Sequence, residues 1–373
     1  MRSTVRVLVV DDSASNRQAL AEVLASSGEI NVVGKAANGE LALQMALELE
    51  PDVITLDLEM PKMDGFTFLR ILMARRPTSV VIVSDYDQRE NIFRALEFGA
   101  VDFVRKPDRR DYPDSGVRRE ILQKVLLAAS FKPPPANPLA TLSIRSPSES
   151  GLPPSSAAPL ADVDDEWVKQ LSQRHASPIR HVVAFASSTG GPSALLRIFG
   201  QMPERFPGVL LVAQHMPEKF TKTFAERLNR KSPLEVIQPT GGELLRARRA
   251  FVSPGNMCME VEARANNVRG LAGDVEIRVV PPLAGDRYLP SADRLFKSVA
   301  RVAGPRSIGV ILTGMGDDGV AGAQAIIAAG GTVLCESEDT AVVFGMPSAV
   351  IRAGAASHVM PLQAIADFLV RLV

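Results

Sequence analysis

A serine, a histidine and an aspartate each stand close behind an apolar run in the second half of this 373-residue chain. Ser188 lies in the loop Ser187-Ser188-Thr189-Gly190-Gly191, after the run Val182 to Phe185. His215 lies in Gln214-His215-Met216-Pro217, after Val209 to Ala213. Asp318 lies in Thr313-Gly314-Met315-Gly316-Asp317-Asp318-Gly319, after Ile308 to Leu312. Such runs read as buried strands, and the ends of parallel strands open on one edge, where α/β folds bind ligands. There the three side chains could make a hydroxyl nucleophilic. The histidine takes its proton, the aspartate orients and steadies the imidazolium, and backbone amides hold the oxyanion.

Each piece also has a plainer reading. The Gly190-Gly191 loop, with Pro192 opening a helix, could be a simple turn or a phosphate cradle. Neither G-x-G-x-x-G nor a P-loop lysine accompanies it, which weakens the cradle. His215 could be an ordinary strand-end histidine, Asp318 a helix N-cap, and Gly314, Gly316 and Gly319 turn formers. Three chemically matched types at three strand ends favour the hydrolytic site. The order Ser, His, Asp and the lack of G-x-S-x-G exclude the α/β-hydrolase arrangement.

A second set of reactive groups lies near the N-terminus. Val5 to Val10 reads as a buried strand ending in Asp11 and Asp12, with Ser13 a plausible cap for the next helix. Val53 to Leu56 runs into Asp57. Further strands are expected at Ile30 to Ala36, Val80 to Ser84 and Val101 to Arg105, alternating with helical stretches. That alternation predicts a parallel sheet covered by helices. Three carboxylates at one sheet edge repel one another unless a cation sits between them, and hard oxygen ligands suit Mg²⁺. Lys106, before Pro107, could add a mobile positive charge.

The order DD, LDLEMPKMDG, Ser84 and Phe103-x-x-Lys106-Pro107 resembles the response-regulator receiver domain. The resemblance implies that Asp57 accepts a phosphoryl group from a histidine kinase. It implies Mg²⁺ held by Asp12, Asp57 and the carbonyl of Glu59, with Asp11 assisting. Ser84 and Lys106 would bind phosphoryl oxygens, and Phe103 would change its packing on phosphorylation.

The formal net charge is zero, so no general case exists for binding nucleic acid or an anionic membrane. No apolar run reaches membrane-spanning length and the N-terminus lacks a signal-peptide core, so we expect a soluble, cytoplasmic protein without membrane insertion. Cys258 and Cys335 read as buried free thiols. From Phe131 to Leu160 the chain is rich in Pro, Ser and Ala and reads as a linker. The stretch Asp162 to Arg174, with Trp167, is more helix-compatible. The expected organisation is a receiver at 1–130, a linker at 131–178 and a catalytic domain at 179–373. The fold class is α/β: two doubly wound parallel sheets, the first flavodoxin-like and the second Rossmann-like.

ASSTGG, QHMP, FVSPGN, SADRLF, ILTGMGDDG and FGMPSAVIRAGA, in that order, resemble the chemotaxis protein-glutamate methylesterase family. The resemblance implies Ser188 as nucleophile, His215 as base, Asp318 as orienting acid, and the amides of Thr189 and Met315 as oxyanion hole, with no metal in this half. It implies hydrolysis of glutamyl methyl esters on methyl-accepting chemoreceptors, deamidation of their glutamines, and control by the receiver, which restrains the esterase until phosphorylated. The chain has Ala186 and Ser187 where the family usually has Gly-Ala, so Ser187 rivals Ser188. It has Asp317 where the family usually has Asn, so Asp317 rivals Asp318. Two other classes stand beside this one: a phosphorylation-switched binding protein without turnover, and a nucleotide-binding output domain.

Overall fold

The computed structural model describes residues 4–85, 89–106, 116–131, 179–264 and 275–373. They divide into two compact units, with the division placed between Ala161 and Asp162. Most of the expected linker, with Trp167, and also Pro107 lie outside the described residues.

In the first unit β1 (Val5–Val10), α1 (Ala14–Ala25), β2 (Ile30–Ala36), α2 (Gly39–Leu49) and β3 (Val53–Leu56) alternate. Then come α3 (Gly65–Arg75), β4 (Ser79–Ser84), α4 (Arg89–Glu97), β5 (Asp102–Arg105) and α5 (Gly116–Ala128). Local signals start the first three helices: the side chains of Ser13, Asn38 and Asp64 accept from Asn16, Leu41 and Thr67 N–H. Each cap satisfies an amide that the first helical turn leaves unpaired. The sheet is parallel, in the order β2-β1-β3-β4-β5. Its inner strands are fully buried along β3 and β4, as a sheet covered on both faces requires. The chain leaves β1 in one direction and returns on its other side, so the topological switch lies between β1 and β3. Ligands of such sheets bind beyond that point. The end of the unit is tied in where Ser79 Oγ donates to the Phe131 carbonyl (2.6 Å).

The second unit runs β6 (His181–Ser187), α6 (Gly191–Phe199), β7 (Gly208–Gln214), α7 (Glu218–Lys231), β8 (Glu235–Ile237) and β9 (Arg249–Val252). It continues with β10 (Cys258–Ala263), β11 (Val275–Val280), α8 (Ala292–Ala303), β12 (Ser307–Ile311) and α9 (Val320–Ala328). It ends with β13 (Thr332–Glu336), α10 (Gly345–Arg352), β14 (His358–Met360) and α11 (Leu362–Arg371). Seven parallel strands order as β14-β13-β12-β6-β7-β9-β8. Here the direction reverses between β12 and β6. Alternate residues of β6 face opposite ways: Val182, Ala184 and Ala186 join a core with Leu211, Phe296, Val299 and Ile311, while Phe185 tilts onto Phe199 of α6, ring centroids 6.0 Å apart.

Sequence reading did not anticipate β8, β9, β13 and β14, or the antiparallel pair β10–β11. The strands β8 and β14 are three residues long, too short for a period to show. Cys258 and Cys335 are buried free thiols, and burial pushes the Cys335 thiol up to about 12. Among the described residues no helix is long and apolar enough to cross a membrane.

Candidate active site

Strands β6 and β7 pair in register up to Ser187 opposite Gln214, so Ser188 and His215 leave neighbouring strands at the same edge. His215 N–H donates to the Ser187 carbonyl (2.9 Å). The Gln214 carboxamide stitches both ends together: its Nε2 donates to the carbonyls of Ser188 (2.9 Å) and His215 (2.9 Å), and its Oε1 accepts from Ser187 Oγ (2.6 Å). The two serines therefore differ sharply. Ser187 is 0 % exposed and committed to Gln214, whereas Ser188 is half-buried at the crevice. From the loop after the adjacent β12, the Thr313 carbonyl accepts from Ser188 N–H (3.0 Å). Gly314 then passes so close that a Cβ there would lie 2.8 Å from Ser188 Cβ, an approach only glycine allows.

His215 Nε2 bonds Asp318 Oδ2 at 2.8 Å. Asp318 does not cap the helix that follows it, α9, whose N-cap is Gly319 and which has no side-chain cap. It reaches instead to the first turn of α8, accepting from Ala292 N–H (2.7 Å), Asp293 N–H (2.9 Å) and Ser291 Oγ (3.4 Å). The arrangement is reciprocal, because Asp293 Oδ1 accepts from Gly319 N–H (3.1 Å) and Gly322 N–H (2.7 Å) at the start of α9. Burial raises the Asp293 carboxyl above the usual carboxylate range, its two amide bonds pulling the other way. Two helix N-termini thus hold two carboxylates, Asp318 buried and Asp293 half-buried, where their dipoles favour negative charge.

Asp317, next in sequence, points into a different environment. It is 54 % exposed, paired with Arg287, and its Oδ1 accepts from Tyr288 OH (3.0 Å). The Arg287 hydrogen bond holds its carboxyl below the usual range. Tyr288 in turn lies flat on His215, ring centroids 5.2 Å apart and planes 2° from parallel.

Thr189 is buried and its carbonyl accepts from Thr313 Oγ1 (2.8 Å), which joins the loops after β6 and β12. Met315, 42 % exposed, follows Gly314, whose carbonyl accepts from Gly345 and Met346 N–H. Behind this loop the buried Glu336 carboxylate accepts from Thr313 N–H (2.8 Å) and Thr340 Oγ1 (3.0 Å). Burial pushes that carboxyl up. Sequence reasoning missed Gln214, Tyr288 and Glu336. Gln214 carried a signal, being a polar residue closing an apolar strand; the type and spacing of the other two mark nothing.

In the first unit one carboxylate oxygen each from Asp11, Asp12 and Asp57 lies within 4.8 Å of the others. Asp11 and Asp57 are 2 % exposed, while Asp12 faces solvent. Lys106 Nζ bonds Asp57 Oδ2 (2.5 Å) and lies 3.4 Å from Asp11 Oδ2. Burial lifts both aspartates above their ordinary range against the pull of Lys106. Burial alone would lower the Lys106 ammonium, but the bond and charge of Asp57, with the charge of Asp11, outweigh it and raise it. Three carboxylates around one ammonium leave the cluster negative, and an all-oxygen donor set fits a hard divalent cation. This acidic triad is typical of the Mg²⁺-binding phosphorylation site of receiver domains. Glu59 N–H lies 3.5 Å from Asp57 Oδ1. Ser84 is buried at the end of β4. Phe103 is buried edge-on against Phe93, centroids 6.4 Å apart, with Lys124 Nζ 4.9 Å from its ring centre.

Residues 7–112 match the Response regulator receiver domain family, and residues 183–369 match the CheB methylesterase family. Over 372 residues the chain is 44% identical to "Protein-glutamate methylesterase/protein-glutamine glutaminase 6" of Anaeromyxobacter dehalogenans (strain 2CP-C), covering 99% of this chain and 96% of that protein. It is 42% identical over 366 residues to "Protein-glutamate methylesterase/protein-glutamine glutaminase 3" of Geobacter sulfurreducens, covering 96% and 95%. The crystal structure of the Thermotoga maritima CheB methylesterase catalytic domain is 36% identical and covers 52% of this chain and 98% of that one, with a TM-score of 0.48. With this identity sustained from end to end across both matched regions, the chain belongs to the CheB family of protein-glutamate methylesterases/protein-glutamine glutaminases that carry a receiver domain.

Proposed function

We propose that this family member hydrolyses glutamyl methyl esters of chemoreceptors with Ser188 as nucleophile, His215 as base and Asp318 as orienting acid. The bond from His215 to the buried, helix-anchored Asp318 carries the reading. Because Nε2 is the nitrogen engaged by Asp318, Nδ1 is the one that takes the Ser188 proton. The Ser188 oxygen adds to the ester carbonyl, and the tetrahedral oxyanion is held by the amides of Thr189 and Met315. The C–OCH3 bond breaks, and methoxide collects the proton from His215 and leaves as methanol. Water then gives a proton to His215, adds to the acyl-serine and releases the glutamate carboxylate, and Ser188 regains its proton. A glutamine side chain presents the same carbonyl with ammonia as leaving group.

In the receiver, Asp57 is the proposed phosphoryl acceptor and a histidine kinase of the chemosensory pathway the donor. Asp11, Asp12, Asp57 and the Glu59 carbonyl would hold Mg²⁺, which supplies charge neutralisation for phosphoryl transfer. Lys106, already bonded to Asp57, and Ser84 would bind phosphoryl oxygens. Phe103, in its buried position, would report the change. Residues 1–130, 131–178 and 179–373 serve as receiver, linker and catalytic domain, and the protein works in the cytoplasm, where kinase and receptor segments meet it.

Methanol release from methylated receptor fragments tests the reading. Wild-type chain releases methanol, faster after phosphorylation, and Ser188→Ala does not. Release by Ser188→Ala with loss in Ser187→Ala would move the nucleophile by one residue, and no release by wild type would favour a binding protein.

A further inference from the structure

We propose that Tyr288 is a positioning residue for His215, locking the plane of the imidazole from its face while Asp318 fixes it from its edge. The inference rests on His215 acting as base. The backbone fixes Cβ of His215, and the 2.8 Å bond to Asp318 fixes Nε2. Those two points leave one motion, a swing of the ring about the line joining them, which carries Nδ1 through an arc. A hydrogen bond at one atom resists that swing weakly. A flat ring against the face resists it directly, and the planes of Tyr288 and His215 are 2° from parallel.

Tyr288 is itself held. Its hydroxyl donates to Asp317 Oδ1 (3.0 Å), the same carboxylate pairs with Arg287, and the Arg287 guanidinium lies 5.4 Å from the phenol ring centre. Gly316 fits the hydroxyl so closely that a Cβ there would lie 2.5 Å from it. The loop after β12 therefore carries two adjacent acids with two tasks: Asp318 grips the imidazole and Asp317 grips the ring that covers it. When His215 takes the serine proton, the electron-rich face of the phenol also attracts the cation formed.

The test uses the full chain and two readouts: the rate at which a small fluorophosphonate labels Ser188, and kcat and KM for methanol release. The probe makes no receptor contacts, so its rate reports aim of the base alone. Tyr288→Phe keeps the ring but loses its anchor on Asp317, so it should label more slowly than wild type and faster than Tyr288→Leu. Tyr288→Leu should label about 10–100-fold more slowly, with kcat falling alike and KM unchanged, since misaim by about 1 Å costs that much. Wild-type labelling by Tyr288→Leu, or a raised KM with unchanged kcat, overturns the proposal. Should Tyr288→Leu not fold, Asp317→Ala decides: it frees the phenol from an exposed site, so slowed labelling supports the proposal and a wild-type rate overturns it. An unlabelled wild-type chain is a separate failure, that of the nucleophile assignment.

Discussion

Neighbouring residues in two pairs have opposite surroundings, and their variants should behave accordingly. Ser188→Ala is expected to lower methanol release by about 10⁴–10⁶ while leaving phosphorylation of the receiver intact. Ser187→Ala removes a buried bond to Gln214. It should cost about 1–2 kcal/mol of stability, read from urea midpoints, with activity kept within about tenfold. Asp318→Asn keeps the shape but presents the wrong partner to His215, and kcat should fall by about 10³–10⁴. Asp317→Asn retains an oxygen for Tyr288 and loses only an exposed ion pair, worth about 0–1 kcal/mol, so its kcat should stay within about fivefold. Reversed effects in the second pair would assign the orienting role to Asp317.

Elements matter here through their ends. The first turns of α8 and α9 exchange carboxylates, Asp318 serving one and Asp293 the other. Asp293→Ala strips two amides of α9 and should cost about 1–3 kcal/mol. Because Gly319 and Asp318 are adjacent, the same variant should also lower kcat, and urea titration beside methanol release measures both. The end of β13 gives a pH effect. Burial raises the Glu336 carboxyl, so the folded chain holds that proton more tightly than the unfolded chain. The stability this contributes is complete at acid pH and is lost as pH rises from the ordinary carboxylate range through the raised folded value. Glu336→Gln should therefore lose less stability than wild type as pH rises above the ordinary carboxylate range; equal losses would mean that folding does not raise the Glu336 carboxyl.

For the whole molecule, two sheets each place reactive groups beyond a topological switch: Asp11, Asp12 and Asp57 after β1 and β3, and Ser188 and the Asp317-Asp318 pair after β6 and β12. The chain joins a phosphorylatable unit to a hydrolytic one. An acyl phosphate should accelerate methanol release only with Mg²⁺ present and Asp57 intact. Asp57→Asn and chelation should each abolish the acceleration and leave the basal rate unchanged. Acceleration surviving in Asp57→Asn would place the phosphorylation site elsewhere.

Much of this was determined by sequence alone. β-branched runs and cap residues fix β1, β2 and β3 at the bounds the apolar pattern predicts, because period, burial and capping are local properties. Residue type and spacing after strands likewise brought forward Ser188, His215, Asp318 and the three receiver aspartates. The choice between neighbours was not local. Ser187 and Ser188 differ by whose hydroxyl Gln214 engages across the strand pair, and Asp317 and Asp318 by which meets α8 and which meets Tyr288, partners 25 to 30 residues away in the chain. Tyr288 and Glu336 acquire meaning only from what lies against them. A sheet fixes which strand ends are neighbours, and only folding turns that adjacency into hydrogen bonds and ring contacts, which short-range sequence patterns do not encode.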